Sequence, residues 1–327
     1  MKKKFKNLFL FVFLVFFAVT TIHSQPRFSF KLVGGFSTIG GGDLNEAIKE
    51  QHKLYSDYNN LGFTAASDLD EFRWLTTLKG ELIVHLTPNF GIGIGTEYLS
   101  KTNKGTGRVS YSYEDVYFDW TESYEYNTNQ DISSLIKAVP IMLNLYYYVP
   151  VGGKATVFFT VGAAYYFGSL EHTIDYDESA EYTFDSWLYL NESYISTYTG
   201  TIEEKAKATS LGFQGGLGIE FDISSSIALV AEVTGRMVNF KNWEGDSTDD
   251  WSWEDTYWVE TWGTDYYSDS GRDIETGKVW RYTYTDYITD NDYKTIGISE
   301  DRPSRADREA EINLNGFQFR IGIRIRI

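Results

Sequence analysis

Outside the first 24 residues the chain has three histidines, His52, His85 and His172, and any proton transfer near neutral pH would have to pass through them. His172 has Ser169 and Glu171 close by, the residue types of a nucleophile and an orienting acid. Neighbours at one and three residues along a strand do not converge on each other, however, so these three define no relay. Two aspartate runs, Asp246, Asp249, Asp250 and Asp255, then Asp286, Asp290 and Asp292, are oxygen donors of the kind calcium takes, but neither has the spacing or central glycine of an EF-hand loop. The chain has no cysteine, which excludes a thiol nucleophile, a disulfide framework and a zinc-thiolate site. These residue types predict no catalytic centre, no metal, no cofactor and no enzymatic activity.

The more informative polar residues alternate with apolar ones, and they need strands to place them. From Phe90 to Tyr98 the even positions are apolar or aromatic apart from Thr96, and the odd ones are Gly91, Gly93, Gly95 and Glu97. From Leu211 to Phe221 the odd positions are large apolar residues or Gly215, and from Phe317 to Ile327 they oppose Gln318, Arg320, Gly322, Arg324 and Arg326. Period-two segments of this kind are strands whose two faces meet different surroundings. Similar segments near residues 27–38, 72–86, 133–149, 155–170 and 227–240 bring the expected number of strands to eight. Short turns at 87–89, 150–154 and 222–226 alternate strictly with long connections at 39–71, 102–132, 171–205 and 241–311.

All long connections therefore lie on one side of the sheet. A soluble sandwich has no need of that asymmetry, whereas a barrel in an outer membrane has short periplasmic turns and long outer loops, and lipid demands that its backbone close into a ring. Residues 1–24 begin Met1-Lys2-Lys3-Lys4 and continue with a 12-residue apolar run from Leu8 to Val19, the pattern of a secretory signal peptide with cleavage after Ser24. Residues 25–327 then form a single barrel domain. The chain resembles the small outer-membrane beta-barrel superfamily typified by the OmpA and OmpX transmembrane domains, over residues 27–327, although its last strand ends in Ile327 and not in the aromatic residue usual there. That resemblance implies an all-β, transmembrane, antiparallel up-and-down barrel of eight strands in the outer membrane of a Gram-negative-type bacterium. The final strand ends at the final residue, so no peptidoglycan-binding domain is expected after it. Neither the His and Ser pattern of lipid A deacylases nor the acid and His pairs of outer-membrane surface proteases is present. Tyr146, Tyr147 and Tyr148 at one end, with Tyr165, Tyr166 and Phe167 at the other, suit aromatic girdles at the two membrane interfaces.

With apolar faces on lipid, the opposite faces put Lys31, Lys79, Glu81, Glu97, Asn144, Gln214, Glu220, Glu232, Arg236, Arg320, Arg324 and Arg326 inside as a polar network. A lumen of eight strands is about as wide as its own side chains, which predicts mutual ion pairing; the alternative is a narrow cation-favouring channel that uses the space left by the lumen glycines. The formal charge of −17 becomes −21 after loss of four leader lysines, and the four long connections together carry −28, leaving +7 for strands and turns. That acidity excludes a nucleic-acid partner. Connections 102–132, 171–205 and 241–311 are the expected contact surface for an extracellular protein or a glycan, and six of nine tryptophans, Trp243, Trp251, Trp253, Trp258, Trp262 and Trp280, fall in the last of them as its candidate residues. That connection is expected to project as hairpins bending near Ser270-Gly271 or Glu275-Thr276-Gly277, with a ten-stranded barrel as the alternative. Connection 39–71 is expected to hold a short surface helix whose capping box is Asp43 and Glu46. The expected protein is a monomer surrounded by outer-membrane lipid, with a structural or surface-interaction role.

Overall fold

The computed structural model describes residues 27–327, so the leader expected over 1–24 lies outside the described residues. In chain order the elements are β1 (Arg27–Thr38), α1 (Asp43–Asn60), β2 (Thr64–Ser67), β3 (Trp74–Thr87), β4 (Phe90–Val116), β5 (Trp120–Pro150), β6 (Ala155–Ser186), β7 (Glu192–Asp222), β8 (Ile227–Met237), β9 (Asn239–Phe240), β10 (Glu244–Val259), β11 (Gly263–Thr285), β12 (Asp292–Ser299), β13 (Ala306–Glu309), β14 (Ile312–Asn313) and β15 (Gly316–Arg326). All pairings are antiparallel. β1 pairs with β3, the path continues through β4, β5, β6, β7 and β8 to β15, and β15 pairs with β1. The path thus returns to its first strand and leaves no open edge along it.

Alternation decides which side each residue faces. On β1, Phe28, Phe30, Leu32 and Phe36 point out and are exposed, as are Val139, Ile141, Leu143 and Leu145 on β5 and Phe317, Phe319, Ile321 and Ile323 on β15. Nine residues at about 3.3 Å each on strands tilted by about 40° give an apolar belt roughly 20–25 Å tall, the height of an outer-membrane wall. Alternation also corrects the girdle. Tyr147, Tyr165 and Phe167 face out, whereas Tyr146, Tyr148 and Tyr166 are buried inside, because successive residues of a strand cannot share a face.

Four expectations about the long connections are overturned. Most of 102–132 and 171–205 is strand, since β4 to β7 each continue far beyond the belt; aliphatic alternation stops there, but Ser110-Tyr111-Ser112-Tyr113 and Tyr194-Ile195-Ser196-Thr197-Tyr198 favour extended backbone equally well. The described residues accordingly form fifteen strands. β7 divides its pairing: its lower part, from Phe213, bonds to β8, while Glu192–Lys207 bonds to β10, so β10, β11 and β12 extend the sheet above the belt. The β10–β11 turn falls at residues 260–262, before Gly263 with φ +90°, and both expected bends, Ser270-Gly271 and Glu275-Thr276-Gly277, lie inside β11. The helix is present, but its N-cap is Gly42 with no side-chain cap, because Asp43 is drawn to Arg308 at 2.7 and 2.8 Å and Glu46 to Arg281 at 3.1 and 2.9 Å.

The interior is layered. Near the short turns, Val33, Ile83, Tyr146, Tyr148, Phe158 and Val230 pack together. Above the lumen charges, a larger apolar cluster that includes Phe72, Leu99, Met142, Tyr166, Phe240 and Trp243 fills the outer end of the ring and meets α1 through Leu44 and Ile48. Trp243 is only 1% exposed, and its ring and that of Phe240 occupy the space above Gly168, where any Cβ would collide with both. Truncation of such a side chain leaves a cavity that its neighbours cannot close. Trp243→Ala is therefore expected to destabilise the fold by about 3–5 kcal/mol, and Trp262→Ala, at a position 82% exposed, by less than about 0.5 kcal/mol. The urea midpoint of the compact band on unheated gels measures both; equal midpoints would show that Trp243 is not a core residue.

Candidate functional site

Inside the ring, eleven of the twelve predicted network residues are buried, and Arg326 is half-buried at the rim beside Asp222. Lys31 Nζ lies 2.9 Å from Glu232 and 3.1 Å from Glu81, and Lys79 Nζ lies 2.9 Å from Glu81. Arg320 bridges Glu97 at 2.7 Å and Glu232 at 2.8 Å, and Arg324 pairs with Glu220. Gln214 donates to Asn144 at 2.7 Å, and Arg236 donates to the Leu314 carbonyl at 2.9 Å and Ser37 Oγ at 3.0 Å. The space expected beside the lumen glycines is filled: Glu81 and Tyr146 occupy the volume next to Gly93, and Phe158 that next to Gly218. The network's chemistry is mutual neutralisation, which engages its titratable groups with one another.

A second site lies above the apolar layer. The continued strands β4 to β7 curve around α1, and β11 and β12 close the far side, enclosing a cavity of about 520 Å³. Leu44, Ile48, Ile132, Ile174, Ile202 and Ile296 supply its apolar wall; Tyr126, Tyr282, Tyr284, His172, Glu204 and Lys294 supply its polar one. Register brings the polar groups together, because Ser134 stands opposite His172 across β5–β6 and His172 stands opposite Glu204 across β6–β7. Ser134 Oγ is 2.7 Å from His172 Nδ1. Burial holds the His172 imidazole down to about 4, so it is neutral at pH 7. Burial, with Glu275 nearby, pushes the Glu204 carboxyl above its ordinary value despite a hydrogen bond from the Ile298 N–H. Burial likewise raises the Tyr284 hydroxyl to about 12, so that it stays protonated.

This grouping was not legible along the chain. The sequence neighbours of His172 lead elsewhere, Glu171 to Lys137 at 3.0 Å, while the true partner Ser134 is 38 residues away. His52 Nε2 donates to the Leu69 carbonyl at 2.9 Å, and His85 contacts Ser29 at 3.1 Å. The aspartate runs are also dispersed: Asp249 accepts from Tyr176, Asp250 pairs with Arg272, Asp286 caps the turn after it, and Asp292 pairs with Arg305. Among the described residues no cluster of His, Asp and Glu is arranged to hold a metal.

The six tryptophans do not form one surface. Trp243 is in the core, Trp251, Trp253 and Trp280 are half-buried on the outer sheet, and Trp258 and Trp262 are exposed. The exposed aromatic surface instead gathers at the hairpin tips, on Tyr117, Phe118, Trp187, Tyr189 and Trp262. The tips touch: the Phe118 and Trp187 rings are 6.4 Å apart, and the Glu260 N–H donates to the Asn191 carbonyl at 3.0 Å. Connections 102–132 and 171–205 belong to the expected contact surface, but Phe118 and Trp187 could not be singled out within them because nothing there marks where those hairpins turn.

Comparison with known proteins gives one family: the outer membrane protein beta-barrel domain matches residues 9–254. Among solved structures, the chain is similar to a major outer membrane protein from Thermus thermophilus, at 11% identity and a TM-score of 0.28, covering 93% of this chain and 100% of that one. It is also similar to the outer membrane protease OmpT from Escherichia coli, at 8% identity and a TM-score of 0.34, covering 94% of this chain and 100% of that one. No curated protein matches the chain.

The buried His172 yields a pH prediction. Its folded value lies below its ordinary value of 6.5, so its contribution to stability is complete above pH 6.5 and is lost as pH falls toward 4. Glu204, raised by burial, works in the opposite direction: its share is present at low pH and is lost as pH rises through its raised value. The His172 imidazole signal, assigned by its disappearance in His172→Gln, should titrate with a midpoint about 4. A midpoint near 6.5, its ordinary value, would place it in bulk water.

Proposed function

Because the chain belongs to the outer membrane protein beta-barrel domain family, we propose that it is a non-conducting, non-enzymatic surface protein whose hairpin tips contact an extracellular protein or glycan. Its place is the outer membrane. The membrane wall of this reading has eight strands, β1, β3, β4, β5, β6, β7, β8 and β15, supported by the pairing path that joins them and by the apolar belt on their outer faces. β10, β11 and β12 stand above it as part of an extracellular sheet, and the protein acts as a monomer among lipids.

One observation carries the surface role: large, strongly exposed aromatic side chains gather at the outermost tips of the hairpins. Phe118 is 95% exposed, Trp187 70% and Trp262 82%, with Asp119, Asp185 and Glu260 around them. Contiguous exposed aromatics rimmed by polar groups mark contact sites, since leaving them in water costs solvation and gains nothing internally. Packing of the hairpins on one another accounts for Trp120, stacked at 3.9 Å on Tyr117, but not for Phe118 or Trp262. The runner-up, a cation channel, fits the acidic loops but meets a lumen closed by ion pairs and, above them, by apolar side chains.

Two measurements test this reading. The purified protein in planar bilayers should give no conductance steps, and recurring cation-selective steps would overturn the non-conducting role. On glycan arrays and in crosslinking on intact cells, the folded full chain should show contacts that the triple variant Phe118→Ser, Trp187→Ser and Trp262→Ser loses by about tenfold or more; contacts indifferent to the tips would overturn the surface assignment.

A further inference from the structure

We propose that the cavity between α1 and the outer sheet binds a small organic cation with an apolar body, its ammonium group taken by Glu204 at depth and by Glu178 at the mouth. This goes beyond the surface role and stands on different residues, so neither bilayer conductance nor the tip variant bears on it.

The shape comes first. A volume of about 520 Å³ falls within the roughly 300–1,000 Å³ of small-molecule sites, and the wall between Leu44 on α1 and Ile202 on β7 is aliphatic enough to receive an apolar body. The cavity opens to the outside past Tyr287, which is 85% exposed, and past Glu178, also exposed. A ligand arriving there crosses loops whose net charge is −28, a field that concentrates cations at the entrance.

Charge then selects the class. The charged or titratable groups facing the cavity, besides tyrosines, are Glu178, Glu204, His172 and Lys294. His172 is neutral, and Lys294 lies 3.3 Å from Glu46, which also takes Arg281. That leaves two carboxylates that no Lys or Arg among the described residues engages. Glu178 interacts with the Tyr126 hydroxyl, and the Glu204 carboxylate has one long hydrogen bond, from the Ile298 N–H at 3.4 Å. The contrast with the lumen is chemical: there every glutamate has a cation beside it, and here the desolvation of Glu204 is offset by no cation among the described residues. An incoming ammonium would supply the missing partner.

Aromatic rings support the same class independently. Tyr126, Tyr282 and Tyr284 line the wall around these carboxylates, and tyrosine faces attract ammonium groups through the ring quadrupole. An anion would meet two like charges, and a neutral ligand would leave Glu204 uncompensated. His172, held by Ser134, keeps one imidazole nitrogen for a hydrogen bond to the body of the ligand.

The test uses the full chain, folded in detergent, with three probes of nearly equal shape: tryptamine, the neutral tryptophol and the anionic indoleacetate. Calorimetry should show tryptamine binding about tenfold more tightly than tryptophol, with no binding of indoleacetate. Glu204→Gln should weaken tryptamine by about tenfold and reduce its advantage over tryptophol, and Ile174→Trp should abolish binding by filling the cavity. Asp177→Asn, at an exposed position outside the cavity lining, should change nothing. Each variant must keep the wild-type gel mobility without heating. Absence of tryptamine binding, equal affinity for the three probes, or tryptamine affinity unchanged in both folded Glu204→Gln and folded Ile174→Trp would each overturn the proposal.

Discussion

The structure depends on the neutralisation of charge inside a ring too narrow to hold bulk water. Five buried cations, Lys31, Lys79, Arg236, Arg320 and Arg324, share the lumen with four buried carboxylates, Glu81, Glu97, Glu220 and Glu232. An ion without partners in that space would cost several kcal/mol; four of the cations pair with the glutamates, and Arg236 is held instead by the Leu314 carbonyl and Ser37 Oγ. Pairs among them also join strands that are not neighbours in the ring. Lys31 on β1 meets Glu232 on β8, and Arg320 on β15 meets Glu97 on β4. A slip of any of these strands by one residue would turn its charges toward the apolar belt, so the ion pairs specify register as well as neutrality.

That closed layer determines what can be built above it. The apolar cluster around Phe240 and Trp243 rests on it and supports α1 from below, while two bidentate clamps, Arg308 on Asp43 and Arg281 on Glu46, hold the first turn of α1 against the returning chain. Both acids sit in the first turn, where the helix dipole favours negative charge. Their loss to arginine removes the capping box but fixes the helix over the cavity. The enclosed space is therefore a consequence of charge pairing at the helix start and not of an unfilled core.

How much of this was legible in the sequence follows from which forces act locally. Alternation from Phe317 to Ile327 displays the belt and the lumen face directly, because a strand's two faces are separated by its own period. The lumen set from Lys31 to Arg326 could be written down for the same reason. Ser134 and His172 could not, since their meeting depends on the register of β5 against β6, which is set by the turn at 151–154 some distance below. Trp243 falls with the other tryptophans in connection 241–311, yet Val238 and Phe240 just before it are buried with it in the apolar cluster. The hairpin tips escaped notice because Tyr, Ser and Thr extend a strand as readily as they decorate a loop, so composition carried no sign of where β4 and β6 end.

Segregation of charge connects these features. The chain has far more acid than base, yet almost none of the imbalance is in the lumen, where burial requires partners. Excess carboxylates accumulate on the sheet above the apolar belt, where water screens them and their cost is small. Glu204 belongs to neither regime: it is half-buried in the cavity wall, partly withdrawn from water, but no Lys or Arg among the described residues pairs with it. A charge that folding has neither paired nor fully solvated is held at a cost the rest of the fold must support, and a ligand that supplies its partner recovers that cost on binding. The chain's overall acidity thus has two roles, a diffuse one that draws cations to the cell surface and a focused one at the cavity wall where a carboxylate is left to receive one.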